Sequence, residues 1–265
     1  MIAIQHSSRI HDWIGGLVTM ESHGLMFELS HPERLHILHL LERKPMRLSQ
    51  ISKKLKITTA EVSRHLDRLS KARLIDRDSE SSYFITPFSA IILGEVTRFD
   101  FITRNLDFFL NHDLSQIPGH LHWLDSMAQG QFTQGTLETS SLIKDISVNA
   151  QEFIDVISAE VMRGMVEIDC GRHDDGMTIK KIYPEDAEIP DQYMSRLGEG
   201  FEIRTLEHVP LGLKMSERMG GVALRDTAGK VDYSTAMVGE DASFRRWVRS
   251  IFDYYWEESR PLRKR

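Results

Sequence analysis

The sequence predicts an α+β chain in two parts. A small helical unit ends in a β-hairpin, and a long helix joins it to a larger α/β unit. Three observations lead there. Residues 25–88 hold three short stretches of helical period, then two β-prone runs around a polar turn. Residues 89–113 are strongly apolar, with apolar steps of three and four. From residue 114 onward, short β-prone runs alternate with helical segments. The expected boundaries are 1–24 for an N-terminal arm or short helix, 25–88, 89–113 and 114–265.

Composition agrees. At 265 residues, 41% hydrophobic and 27% charged, the chain can bury a sizeable core. Its one cysteine, Cys170, allows no internal disulfide, which fits a reducing, cytoplasmic setting. No apolar run reaches the roughly 18 residues a membrane helix needs, so no membrane partner is expected. "MIAIQHSSRIHDWIGGLVTM" is broken by charged and polar residues and does not read as a signal peptide; Met20 is an alternative start.

Net charge is −6, yet residues 43–77 carry eleven Lys/Arg against three Asp/Glu. A local positive field on an acidic chain points to a polyanionic partner.

The elements of residues 25–88 follow in order. Ser30 and Glu33 have capping-box spacing, and Pro32 suits a first helical turn. Leu35, Ile37, Leu38 and Leu41 supply the apolar face, and Pro45 ends it. A second helix follows Ser49, with Ile51 and Leu55 inward, and "KIT" makes a turn. Thr58 and Glu61 form another capping box, and Val62, Leu66 and Leu69 form one core stripe. "IDRDSESSYFITP" then reads as a hairpin. Three helices and a hairpin make a winged helix-turn-helix, which implies double-stranded DNA as partner. Thr59, Ser63, Arg64 and Arg68 are the candidates for major-groove contact. Ser49, Lys53, Lys54, Thr58, Arg77 and Tyr83 are candidates for positioning the DNA backbone.

"ELSHPERLHILHLL" and "LSQISKKLKITTAEVSRHLDRLSKARLI" resemble the winged-helix domain of ArsR-type and TrmB-type prokaryotic regulators. Arg73 stands where that family usually has Gly, at a helix end that favours left-handed backbone; keeping that turn would cost on the order of 1 kcal/mol. Soft-metal sensing in such regulators uses paired cysteines, and this segment has none; His36, His39 and His65 are too scattered for a site, so no metal or other cofactor is expected.

In the linking stretch, Ile92, Val96, Phe99, Thr103, Leu106 and Leu110 step by four and three, a heptad-like seam suited to a homodimer on a near-palindromic site.

Beyond residue 114, "ETSSLIKDISVNAQ" suits a helix, and "FIDVIS", "MTIKKIY", "FEIRTLE" and "LGLKMS" suit strands. Residues 163–175 stay open between helix and loop, with "GRHDDG" read as a polar turn. "GGVALRDTAGKVDYSTAMV" suits a hairpin turning at "DTAGK". Phe244, Trp247, Val248, Ile251, Phe252 and Tyr255 form the apolar stripe of a last helix, read as core.

"NHDLSQIPGHL", "AQEFIDVIS", "MTIKKIYPED", "GGVALRDTAGKVDYSTAMVGED" and "FRRWVRSIFDYYW" resemble the FilR1-type (methanogenesis regulatory protein) domain of archaeal regulators. They are also similar to the effector domain of TrmB-like regulators, whose fold is like that of the phospholipase D family. The resemblance implies an archaeal transcription regulator with an effector or dimerisation domain, which would sense a partner or a small-molecule effector of unknown identity. None of the twelve histidines has Lys two residues on, so the H-x-K-x4-D motif of phospholipase D chemistry is absent and no enzyme activity is expected. Ser158, Tyr183, His208, Lys214 and Arg225, near expected strand ends, are candidate pocket residues. The alternative is a winged helix that docks on transcription machinery without reading DNA sequence.

Overall fold

The computed structural model describes residues 21–121 and 124–262; most of the expected N-terminal arm lies outside them. The chain divides into two compact units, Met1–Thr97 and Arg98–Arg265.

The first unit holds α1 (Ser22–Leu29), α2 (Pro32–Arg43), α3 (Leu48–Leu55) and α4 (Thr59–Lys71), and α5 (Pro87–Arg104) starts in it. Its three strands are β1 (Met46–Arg47), β2 (Ile75–Arg77) and β3 (Ser82–Ile85), in the order β1-β3-β2. The core gathers Ile37, Leu38, Leu41, Ile51, Val62, Leu66 and Leu69. The three-helix-and-wing reading is therefore realised. Ser30 is a correction. It caps the C-terminus of α1, its Oγ donating to Phe27 O at 3.0 Å, and His31 is the N-cap of α2. The helix is shifted because Pro32 takes its first position.

Thr58 and Glu61 do form the capping box of α4: Thr58 N donates to Glu61 Oε2 at 2.9 Å and Glu61 N to Thr58 Oγ1 at 3.3 Å. At its other end the turn expected to want glycine is kept. Leu74 N donates to Leu69 O at 3.0 Å and Arg73 N to Ser70 O at 2.9 Å, with Arg73 left-handed at φ 56°. This pair of bonds is the Schellman motif, which satisfies carbonyls that the helix end would otherwise orphan.

The linking stretch is two helices. α5 runs to Arg104 and α6 (Leu106–Asn111) follows, because Asn105 leaves the helical region (φ −114°, ψ 32°). The heptad-like seam is thus interrupted between Thr103 and Leu106. Phe88, Ile91, Phe99, Leu106 and Leu110 are exposed.

The second unit continues with β4 (His112–Asp113), α7 (Leu124–Met127), β5 (Gln131–Phe132), α8 (Thr136–Val148), β6 (Phe153–Ile157), α9 (Arg163–Asp174), β7 (Thr178–Pro184) and α10 (Asp191–Met194). It closes with β8 (Phe201–Leu206), β9 (Gly212–Met215), β10 (Gly220–Ala223), β11 (Arg225–Asp226), β12 (Met237–Gly239), α11 (Ala242–Glu258) and β13 (Arg260–Pro261). Eight strands form one sheet in the order β13-β8-β7-β6-β9-β10-β12-β5. β6, β7 and β8 are parallel; β9 runs antiparallel to β6.

Side chains alternate across this sheet. Ile157, Ile182, Leu213 and Met215 share a core with Phe244, Trp247, Val248, Ile251 and Phe252 of α11, so those aromatics are core as expected. Ile154, Val156, Ile179 and Tyr183 share the other core with Val166 and Cys170 of α9.

Residues 163–174 are helix, and "GRHDDG" is corrected from a polar turn to the C-terminal end of α9, with Gly176 at φ 95° just beyond. The "DTAGK" turn exists: Asp226 N donates to Lys230 O at 2.8 Å. It is not the hairpin joining the sheet strands, since β10 pairs with β12 across a longer connection and β11 pairs with β4.

Candidate functional site

In the first unit, α4 presents two kinds of surface. Val62, Leu66 and Leu69 are buried. At about 100° per residue, Arg64 lies opposite that stripe, with Thr59 and Ser63 on one flank and Arg68 on the other. Thr59, Ser63 and Arg64 are exposed, and Arg64 makes no ion pair among the described residues. On α3, Ser49, Lys53 and Lys54 are exposed, and Thr58 is the exposed cap between the helices. Lys56 joins them in left-handed backbone (φ 58°). On the wing, Arg77 faces Tyr83 across the β2–β3 ladder, its guanidinium 5.3 Å from the ring centre.

Arg68 is engaged elsewhere. Its Nε donates to Glu28 Oε2 at 3.0 Å, and its guanidinium lies 5.1 Å from the Phe27 ring centre on α1. Glu28 also holds Arg34 at 3.0 Å. Its carboxyl lies below the usual range because the Arg68 hydrogen bond, against some burial, and both guanidinium charges favour the anion. Arg34 is buried and donates to the α1 carbonyls of Phe27 (2.7 Å) and Glu28 (2.8 Å), which places a cation at that helix end. Sequence reading missed this arrangement because Glu28 and Arg68 are forty residues apart.

In the second unit, a cavity of about 40 Å³ lies on the α8/α9 side of the sheet. Ser158, Tyr183 and Lys214 line it, three of the five pocket candidates. His208 and Arg225 do not. His208 is exposed, and Arg225 donates to the carbonyls of Val209 and Gly229. His208 lies beyond the end of β8, and Arg225 lies on β11, which pairs with β4 outside the main sheet.

Asp169, Lys181 and Tyr193 join the lining, none of them foreseen. Lys181 Nζ donates to Asp169 Oδ2 at 2.7 Å, and Tyr193 Oη to the same oxygen at 3.0 Å. Ser147 Oγ donates to Asp169 Oδ1 at 3.0 Å. Lys214 Nζ stands 3.7 Å from that oxygen, an ion-pair distance outside hydrogen-bond range. Both lysines flank Val156 on the neighbouring strands, so the sheet register sets them two strands apart under α9. Burial opposes the charge on Asp169, but the two ammonium groups outweigh it and bring the carboxyl down to about 2. Burial, helped by Lys181 and resisted by Asp169, brings Lys214 down to about 8. One signal was available: the alternation Ile179, Lys181, Tyr183 in "MTIKKIY" puts Lys181 on the same face as two apolar side chains.

Two further expectations meet the structure here. In "GLKMSERM", Lys214 keeps the spacing of the lysine in H-x-K-x4-D, while Gly212 and Met219 stand at its His and Asp positions, so the catalytic set is not evident. Cys170 is buried, its thiol pushed up by that burial, which suits packing and not nucleophilic chemistry.

Comparison with known proteins follows the same division. Residues 31–77 match the family described as bacterial regulatory protein, arsR family. Residues 142–258 match the middle domain of methanogenesis regulatory protein FilR1. No curated protein matches the chain. Among solved structures, TrmBL2, described as an archaeal chromatin protein with a novel mode of DNA binding, is 13% identical, with TM-score 0.43 over 92% of this chain and 100% of its own. Nuc, a phospholipase D family member from Salmonella typhimurium, is 11% identical, with TM-score 0.39 over 51% of this chain and 98% of its own. NucT from Helicobacter pylori is 10% identical, with TM-score 0.39 over 50% of this chain and 100% of its own. Two separate stretches of the chain thus match family models, an arsR-family helix-turn-helix at residues 31–77 and a FilR1 middle domain at residues 142–258, and this combination supports a DNA-binding regulator.

Proposed function

We propose that this protein is a cytoplasmic, sequence-specific DNA-binding transcription regulator that works as a homodimer and carries a non-enzymatic sensing domain. The observation that carries the reading is the exposed polar face at the start of α4. Thr59, Ser63 and Arg64 stand there beside Lys53 and Lys54 of α3, on a helix fixed by its own capping box. Small hydroxyl side chains at a helix N-terminus can approach phosphate closely, and an unpaired arginine one turn in can fork onto guanine. Arg77 and Tyr83 on the wing would set the backbone register, as would Ser49 and Thr58. Arg68 enters the reading through α1, whose position it helps to hold. Dimerisation draws support from the exposed apolar side chains Phe88, Ile91, Phe99, Leu106 and Leu110. No described helix is long and apolar enough to cross a membrane.

The test is retention of genomic fragments by the full-length protein over a salt series, beside Arg64→Ala. The reading expects a few promoter fragments to be held, affinity to fall steeply with salt, and the variant to lose the preference. Equal, weak and indiscriminate binding by both proteins would sink it and turn the search to protein partners of the winged helix.

A further inference from the structure

The cavity beside Asp169 has a charge balance that its own residues leave open. Lys181 and Lys214 are 1% and 6% exposed, and both face the same carboxylate. Asp169 accepts from Lys181 and Tyr193 on one oxygen and from Ser147 on the other, so two ammonium groups face a single carboxylate. Lys214 is left with a 3.7 Å ion contact and no hydrogen bond among the described residues. A buried ammonium without a hydrogen-bonding acceptor is costly, and burial of one group out of water is recovered only by a well-placed partner. The interior thus holds one positive charge more than it can neutralise. Glu160, the other charged side chain of the lining besides these three, is exposed and lies at the rim.

The remaining wall is apolar, including Ile143, Val156, Met162, Met165 and Val238. The space of about 40 Å³ admits roughly three water-sized groups. A ligand that fits must carry one negative charge at one end and a short apolar body at the other. Inorganic phosphate meets the charge but would set bare oxygens against the methionine and aliphatic walls.

We infer that this cavity is a binding site for a short-chain monocarboxylate, of about acetate size, whose carboxylate pairs with Lys214. Tyr183 lines the same space, whereas the Ser158 hydroxyl is held by Glu160 O at 2.8 Å and Tyr233 Oη at 3.2 Å. Burial and the Lys181 charge bring the Lys214 pKa down to about 8 against the pull of Asp169, which it shares with Lys181. The inference deepens the sensing role proposed above and rests on that reading only for its regulatory meaning, since the binding itself is independent of DNA.

The experiment is calorimetric titration and thermal melting of the full-length protein with sodium acetate, propionate, butyrate and phosphate, against sodium chloride at equal ionic strength. Two variants accompany it. Lys214→Met removes the excess charge and keeps a long apolar side chain. Ala223→Val narrows the lining without touching the charges. The expected result is saturable binding of acetate, a raised melting temperature, and at least about tenfold weaker affinity in both variants. Lys214→Met should also melt higher than wild type without ligand. Absence of carboxylate binding to wild type, undiminished binding by Lys214→Met, or stronger binding of phosphate would each overturn the inference. Fragment retention measured with and without acetate keeps the two proposals apart: unchanged DNA affinity at saturating acetate defeats the sensing role and leaves the site standing.

Discussion

Arg68 on α4 donates to Glu28 on α1, Nε to Oε2 at 3.0 Å, and the same carboxylate holds the buried Arg34. An arginine that the linear pattern assigns to DNA is thus spent on locking α1 against α4. Arg64, one turn earlier, remains exposed.

That difference separates two alanine variants. Arg64→Ala should weaken binding to a specific fragment by about 1–3 kcal/mol and leave the melting temperature unchanged. Arg68→Ala should lower the melting temperature, because Glu28 loses one of its two arginine partners and Phe27 loses one of the two cations near its ring. Melting curves and fragment binding on both variants check it; a stability loss in Arg64→Ala would contradict the assignment.

Arg73 holds left-handed backbone at φ 56° inside an otherwise complete Schellman turn. Replacing it by glycine removes the clash of Cβ with the backbone. Arg73→Gly should raise stability by about 1 kcal/mol, measured by urea denaturation. A destabilised variant would mean that the Arg73 side chain contributes more than its backbone costs.

Thr58 accepts from Glu61 N and its own N–H is met by Glu61 Oε2. Thr58→Ala should cost about 1 kcal/mol by loss of the cap. Because α4 begins at this residue, DNA affinity should fall with it; Thr58→Ser, which keeps the hydroxyl, should recover both.

Asp169 lies at about 2 in the folded protein, below its ordinary value of 3.8, because Lys181 and Lys214 outweigh burial. A carboxylate depressed on folding stabilises above its unfolded pKa, and that contribution disappears as pH falls from about 4 to about 2. The amount at neutral pH is on the order of 2 kcal/mol. Acid unfolding followed by circular dichroism should show this loss in wild type. Asp169→Asn should have less of the pH dependence and be about 3–5 kcal/mol less stable at pH 7, since it leaves two ammonium groups without a carboxylate.

The sequence by itself determined the helix order of the first unit, the capping box at Thr58, the wing, and the strands "FIDVIS", "MTIKKIY", "FEIRTLE" and "LGLKMS". These are local properties: helical and strand periods, caps and turn residues act over a few positions, so a linear reading can see them. Of the five pocket candidates chosen for standing near expected strand ends, Ser158, Tyr183 and Lys214 line one cavity.

Tertiary structure alone decided the rest. Ser30 went to α1 and not α2 because Pro32 took the first turn. The seam through Phe99 and Leu110 broke at Asn105, which a period of three and four cannot register. The meeting of Asp169, Lys181 and Lys214 depends on β7 and β9 both pairing with β6 at Val156, with α9 packed above them. Arg68 found Glu28 in the same way. Charges distant in sequence pair when packing brings them together, and their pairing is governed by burial and register that no local pattern encodes.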